Sequence, residues 1–189
     1  MGGVLLVIAT VMALRPKAGT GSLGWFIIAT FAYCILGLAA AMQLRESDGL
    51  RAAAMQLLAL ALALILLLLC QPRQTLRDAP RQGLASTARI VVWLTLLGIP
   101  PTVGFHAKVM LYRSLLSVGW GGMAALAIAV AAAGVLPALS AIGLPPPLPL
   151  KGARAAVAVV LIALIVILGL YPQPAISLAG MVQNLAKSG

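Results

Sequence analysis

Apolar residues run along this chain in six stretches separated by short polar connectors. The first is Gly3 to Leu14, and the second is Leu23 to Leu44, closed by Arg45-Glu46-Ser47-Asp48-Gly49. The third is Ala52 to Cys70, followed by a basic connector from Gln71 to Arg89. The fourth runs from Ile90 to about Val118, interrupted by Gly98-Ile99-Pro100-Pro101. The fifth is Gly122 to Leu144, with Pro137 inside it, and the sixth is Ala155 to Tyr171. A spanning helix needs about 17–25 apolar residues. Stretches two, three, five and six therefore predict membrane crossings.

Stretch four is too long for one simple crossing. Its Gly-Ile-Pro-Pro must break the helix, because each proline removes a backbone donor and crowds the preceding turn. A broken helix survives within a bilayer only where protein or water satisfies the freed carbonyls, and such breaks mark transport sites. Stretch one is too short, reaching only about 21 Å at 1.5 Å per residue. It lacks the basic start and cleavage site of a signal peptide. It reads as the tail of a longer helix, so the chain is expected to be part of a larger protein or to begin against a partner.

Composition agrees with the pattern. Hydrophobic residues make up 62% of the 189 and charged residues 8%, against about 45–50% and about 25% in soluble domains. The expected fold is a single membrane domain over residues 1–189: all-α, polytopic, with about six transmembrane helices, the fourth discontinuous at Gly98 to Pro101. The net charge of +10 could suggest nucleic acid, but the basic residues are spread over short connectors, as membrane topology requires. Arg15, Lys17, Arg73, Arg77, Arg81, Arg89, Lys151 and Arg154 fall on one side of the membrane, and Arg45, Arg51 and Lys187 on the other. The positive-inside rule puts the first set in the cytoplasm and both termini outside. The run Leu144-Pro145-Pro146-Pro147-Leu148-Pro149 predicts a stiff extended connector on the cytoplasmic side.

Little chemistry is available. Glu46, Asp48 and Asp78 are the only acids, His106 is the only histidine, and Cys34 and Cys70 lie in apolar runs. A metal, haem or iron–sulfur site needs three or four ligands, and no such cluster or Gly-rich phosphate loop is present. Two cations, Lys108 and Arg113, remain inside stretch four. A lysine at the bilayer centre costs about 2.5–3.5 kcal/mol on insertion scales, so it is kept when paired, hydrated or functional. Desolvation disfavours the charged form of an amine, which suits such a lysine to proton exchange; the alternative is a lysine reaching the interface by its own stem. Arg113, nearer the outer end, can snorkel. His106 lies about 200° round the helix from Lys108. It is either a relay member or a packing residue with one hydrogen bond. Thr95, Thr102 and Tyr112 could line a hydrated path or bond locally within the helix. Trp25, Trp120 and Tyr171 fit an interfacial belt.

The segment Trp93-Leu94-Thr95-Leu96-Leu97-Gly98-Ile99-Pro100-Pro101-Thr102-Val103-Gly104-Phe105-His106-Ala107-Lys108 resembles the broken-helix motif of the antiporter-like membrane subunits of respiratory complex I and of Mrp-type cation/proton antiporters. Leu168-Gly169-Leu170-Tyr171-Pro172-Gln173-Pro174 and Cys34-Ile35-Leu36-Gly37-Leu38-Ala39-Ala40 are similar to other helices of the family, in the same order. The likeness is greatest to the subunit N branch, from NADH-quinone oxidoreductase. Family members have about fourteen helices with inverted repeats, and this chain resembles the last six. Lys108 then aligns with the lysine of the second broken helix, at the outward end of the family's proton path. His106 is a possible relay, and Gly98, Pro100, Pro101 and Gly104 form the break. The family's glutamate and further lysines on preceding helices have no counterpart here. The usual basic and tyrosine–serine run before the second stretch is replaced by Lys17-Ala18-Gly19-Thr20-Gly21-Ser22.

The resemblance implies a membrane-arm subunit of a complex I-like NADH-quinone oxidoreductase in the bacterial inner membrane, contributing to proton translocation. It implies no cofactor or metal in this chain, with quinone, NADH, FMN and iron–sulfur clusters in partner subunits. The expected partners are other membrane subunits, among them a separate chain carrying the missing helices, and lipids, but no nucleic acid. Two alternatives stand beside it: a structural or assembly subunit with a non-pumping antiporter fold, and part of an Mrp-type antiporter without electron transfer.

Overall fold

The structure is a computed structural model that describes residues 3–4, 7–8, 11, 20–44, 47–69, 83–135, 138, 152–174 and 176–177. Six helices are defined within those residues: α1 (Thr20–Leu44), α2 (Ser47–Leu69), α3 (Gly83–Leu97), α4 (Val103–Ser117), α5 (Gly121–Ala133) and α6 (Ala153–Leu170). Their sequences are rich in alanine and leucine, the strongest helix formers, and in lipid a helix satisfies its own backbone. Gly24–Gln43, Asp48–Leu69 and Ala153–Leu170 are long and apolar enough to cross a membrane, and Thr87–Leu97 and Gly121–Ala133 are shorter apolar helices. The protein is an integral membrane protein, helical throughout its defined elements among the described residues.

The observed boundaries correct the expected ones in places. The third stretch becomes helical at Ser47, inside what reads as a polar connector. Asp48 sits in the first turn, where a negative charge favours the helix dipole, and its carboxylate lies 3.6 Å from the Arg51 guanidinium one turn on. The fourth stretch begins at Gly83, within the basic connector, and is divided into α3 and α4 at the expected break. The fifth stretch is not one uninterrupted helix among the described residues: α5 ends at a turn on Gly134, and helix resumes at Val135 and Ala138. A side chain at Gly134 would meet the Phe26 ring and Leu97, so the close approach of three elements fixes that turn. Of stretch one, Gly3, Val4, Val7, Ile8 and Val11 are helical, and Gly3 lies against Met123 of α5. Arg15, Lys17, Arg45, Glu46, Cys70, Arg73, Arg77, Asp78, Arg81, Pro137, Leu144 to Pro149, Lys151 and Lys187 lie outside the described residues.

Glycine and alanine set the helix spacing, as expected where close packing rather than hydrophobic transfer drives association. α1 and α2 cross at Gly37 and Gly49: a Cβ on Gly49 would fall 2.6 Å from the Gly37 carbonyl oxygen and 2.9 Å from Ser114 Oγ of α4. One turn along, Gly37 faces Ala53 and Leu111. These contacts advance together along α1 and α4 and backwards along α2. α1 and α4 are therefore parallel, with α2 antiparallel between them. α5 is antiparallel to α1, because Ala127 meets Tyr33 and Gly134 meets Phe26.

α4 joins the two halves of the core. Its Val103 and Ala107 pack with Phe26, Leu60, Leu66, Trp93, Leu96 and Ile165, drawn from α1, α2, α3 and α6. Its Leu111 and Leu115 pack with Ala32, Tyr33, Leu36, Ala52 and Ala127, drawn from α1, α2 and α5. Lys108 and Ser114 of α4 are thus buried by the other helices.

Candidate functional site: a lysine at a broken helix

The break lies between Leu97 and Val103. Gly98 adopts φ +70°, a left-handed conformation that side-chain-bearing residues rarely hold. The chain turns there, passes through Ile99, Pro100 and Pro101, and enters α4 at the extended Thr102. The second half does not simply follow the first. Gly104 lies against the Thr95 backbone, and Lys108 lies against Leu97 and Gly98. Since 104 pairs with 95 and 108 with 97–98, α4 runs in the same direction as α3 and overlaps its last turn side by side. Glycine at 104 permits this, because a Cβ there would collide with the Thr95 carbonyl oxygen.

Three of the carbonyls freed at the end of α3, those of Leu94, Thr95 and Leu97, find partners at the break. Ile99 N–H donates to the Leu94 oxygen at 2.9 Å and Gly98 N–H to the Thr95 oxygen at 3.2 Å. Lys108 Nζ donates to the Leu97 oxygen at 2.7 Å. A cation at a helix C-terminus also meets the negative end of the macrodipole. The lysine is 3% exposed, and its Nζ stands 4.7 Å from the centroid of the Tyr33 ring, in cation–π range. Tyr33 is held in turn by its hydroxyl, which donates to the Ala127 oxygen of α5 at 3.0 Å. The Lys108 stem runs over Gly98, whose missing side chain leaves the space: a Cβ there would sit 2.6 Å from Lys108 Cδ.

His106 is not part of this cluster. Its Nε2–H donates to the Gly169 carbonyl of α6 at 2.7 Å, on a different side of α4 from Lys108. Gly169 itself lies against the Pro101 carbonyl, so α6 closes the far side of the break. Thr95 Oγ1 donates to the Val91 oxygen at 2.7 Å, and Thr102 Oγ1 to the Ile99 oxygen at 2.8 Å. Both hydroxyls are spent on local backbone. Tyr112 and His106 are half-buried and Arg113 is exposed. Trp25 and Trp120 are half-buried and Tyr171 is exposed. No group of three metal-ligating side chains occurs among the described residues.

The sequence reading missed Tyr33 and Gly169. Nothing in the chain announces that Tyr33 meets a lysine seventy-five positions later. It also passed over Gln56, the one polar side chain between Ala52 and Leu69, which is buried. The rule that singles out Lys108, that polar groups in lipid are expensive, applies to it too.

No family model and no curated protein matches the chain. Among solved structures, a chain of the Mrp complex from Dietzia sp. DQ12-45-1b superposes with a TM-score of 0.76 at 21% identity, covering 95% of this chain and 45% of that one. A chain of respiratory complex I from Thermus thermophilus with bound aureothin superposes with a TM-score of 0.73 at 25% identity, covering 93% and 43%. This chain thus spans less than half the length of either neighbour. In fold it is like the membrane subunits of the Mrp antiporter complex and of respiratory complex I.

Proposed function

We propose that this chain is a membrane-arm subunit of a complex I-like proton-translocating oxidoreductase, with Lys108 as its proton-exchanging group. One observation carries the reading: the Lys108 ammonium is buried at a helix break, on a single carbonyl acceptor and an aromatic face. Ionisable side chains kept within membrane spans mark proton relays, and broken helices mark transport sites. The lysine would release its proton towards the outer side and be reloaded from neighbouring groups. Like-charge coupling would time the release, as a second positive charge arriving nearby disfavours the first. Gly98, Pro100, Pro101 and Gly104 would hold the break, and His106 would act as a secondary relay on the α6 side.

A proton path across about 30 Å of hydrocarbon needs several groups. The rest would come from helices that correspond to the remaining length of the structural neighbours, on this polypeptide or on a separate chain. Electron transfer would belong to partner subunits holding NADH, FMN, iron–sulfur clusters and quinone, with no cofactor in this chain. The complex would sit with lipid in a bacterial inner membrane, both termini outside.

The test is Lys108→Ala in the natively purified complex, reconstituted in vesicles. Pumping should fall while assembly survives; an unchanged proton-to-electron ratio would falsify the role of Lys108. A structural role is the second reading, favoured by the bond from Lys108 to Leu97, which caps α3. In that case Lys108→Ala would impair assembly instead. Mass spectrometry of co-purifying subunits settles the host: redox subunits for the proposal, antiporter subunits alone for cation/proton exchange, the reading favoured by the Dietzia Mrp likeness.

A further inference from the structure

Gln56 lies on α2 with 2% of its surface exposed, and its Oε1 has no hydrogen-bond partner among the described residues. A buried amide oxygen left bare is costly, so the group calls for an acceptor's partner nearby. Helix register places a candidate at the same depth. Gly49, Ala53 and Gln56 follow at i, i+4 and i+7, which places them on one face of α2. Gly49 meets Ser114 of α4. From Gly49 to Gln56 the helix advances about 10 Å, and from Ser114 back to Lys108 about 9 Å, at 1.5 Å per residue. The two helices are antiparallel, so Gln56 and Lys108 stand at the same depth on the most closely packed helix pair.

The donor side is also incomplete. A lysine ammonium carries three N–H groups. Leu97 supplies one oxygen acceptor, and the Tyr33 ring covers another direction. A bound water needs two to four polar partners, and a bare carboxamide oxygen level with an undersatisfied ammonium supplies two.

We propose that Gln56 is a positioning residue for Lys108: its Oε1 holds a water to which the Lys108 ammonium donates, and this water takes the proton that leaves. This rests on the proton-exchange role of Lys108. In the step, one Nζ–H bond breaks and its electron pair stays on nitrogen, giving the neutral amine. The proton passes to the water oxygen, and that water releases another of its protons towards bulk water. Gln56 accepts a hydrogen bond throughout and is not itself protonated.

The test uses the whole complex in vesicles, with infrared and pumping readouts. The side-chain carbonyl band of Gln56 is isolated as the difference between the unaltered complex and Gln56→Leu. It should shift when the same difference is taken with Lys108→Met, and a water O–H band that responds to exchange with H₂¹⁸O should vanish in either variant. Gln56→Leu should lower the pumping rate about tenfold in the natural background, with no further loss beside Lys108→Met. Gln56→Asn, which keeps a neutral amide oxygen one methylene shorter, should retain part of the pumping; a purely packing role would instead favour leucine. A Gln56 band unmoved by Lys108→Met overturns the contact, even if Lys108 proves essential. A shifted band in a complex that pumps normally without Lys108 leaves the contact standing and removes its function.

Discussion

Alanine at Gly98 puts a methyl carbon 2.6 Å from Lys108 Cδ and 3.1 Å from Lys108 Cε. Both atoms belong to a flexible stem, so the lysine gives way first; the methyl also meets the Gly104 carbonyl oxygen at 3.1 Å, which adds to the backbone strain. Two effects follow. Holding alanine at φ +70° costs about 1–2 kcal/mol. Moving Nζ off the Leu97 oxygen, where it now bonds at 2.7 Å, forfeits a charge-assisted hydrogen bond of about 1.5–3 kcal/mol. A double-mutant cycle separates them. In a Lys108→Ala background the stem is absent, so Gly98→Ala should cost only the backbone strain and the contact with the Gly104 oxygen, and the coupling between the sites should be about 1.5–3 kcal/mol. Unfolding of the purified protein in detergent, followed by tryptophan fluorescence, measures all four corners. A coupling below about 0.5 kcal/mol, the range for independent sites, would refute the idea that the glycine exists to seat the lysine.

Gly104→Ala should be worse than Gly98→Ala, because its methyl meets the Thr95 carbonyl oxygen of the backbone and the overlapping half-helices must part; loss of the assembled complex on a native gel checks this. Gly169→Ala should push α6 away from the Pro101 carbonyl and break the His106 bond to Gly169, seen as faster proteolysis after Leu170, with the proposed Lys108-dependent pumping reduced less than by Gly98→Ala. Tyr33→Phe should cost about 1 kcal/mol by losing its hydroxyl bond to Ala127, while Tyr33→Leu should cost more, since the cation–π contact goes too; equal losses in the detergent unfolding assay would argue against the ring's contact with Lys108.

The break was legible because it rests on covalent facts: proline has no N–H, and a glycine ahead of two prolines leaves the helix no way to continue. Lys108 was legible because a charge in an apolar run is expensive wherever it ends up. Helix starts were harder to read. Ser47, Asp48 and the residues after Gly83 look like connector, yet the first turn of a helix leaves N–H groups free and tolerates polar side chains. Partners across the fold were not legible at all. Tyr33 reaches Lys108 because of how α1 crosses α4, and that crossing is set by glycines at 37 and 49 whose role shows only once both helices are in place. Gln56 was readable in principle, as a single polar residue in an apolar helix, but its depth relative to Lys108 needed the register of α2 on α4.

The break is enclosed by parts of unequal stiffness. Gly104 is pressed against the Thr95 backbone, and Gly169 against the Pro101 backbone. Neither wall can shift without moving a helix. The third wall is the Lys108 stem over Gly98, a chain of four methylenes with rotatable bonds. Any displacement within the site therefore belongs first to the lysine head and not to the helix halves. A stem that swings between the Leu97 oxygen and a water held by Gln56 alters the site's connections while leaving α3, α4 and α6 in place. That is the behaviour asked of a relay group, as opposed to a gate. It also explains why an overlapping break serves here better than a plain kink: the overlap brings the last carbonyl of α3 alongside the second turn of α4, within reach of a side chain that an unbroken helix would hold about 16 Å away, eleven residues further on.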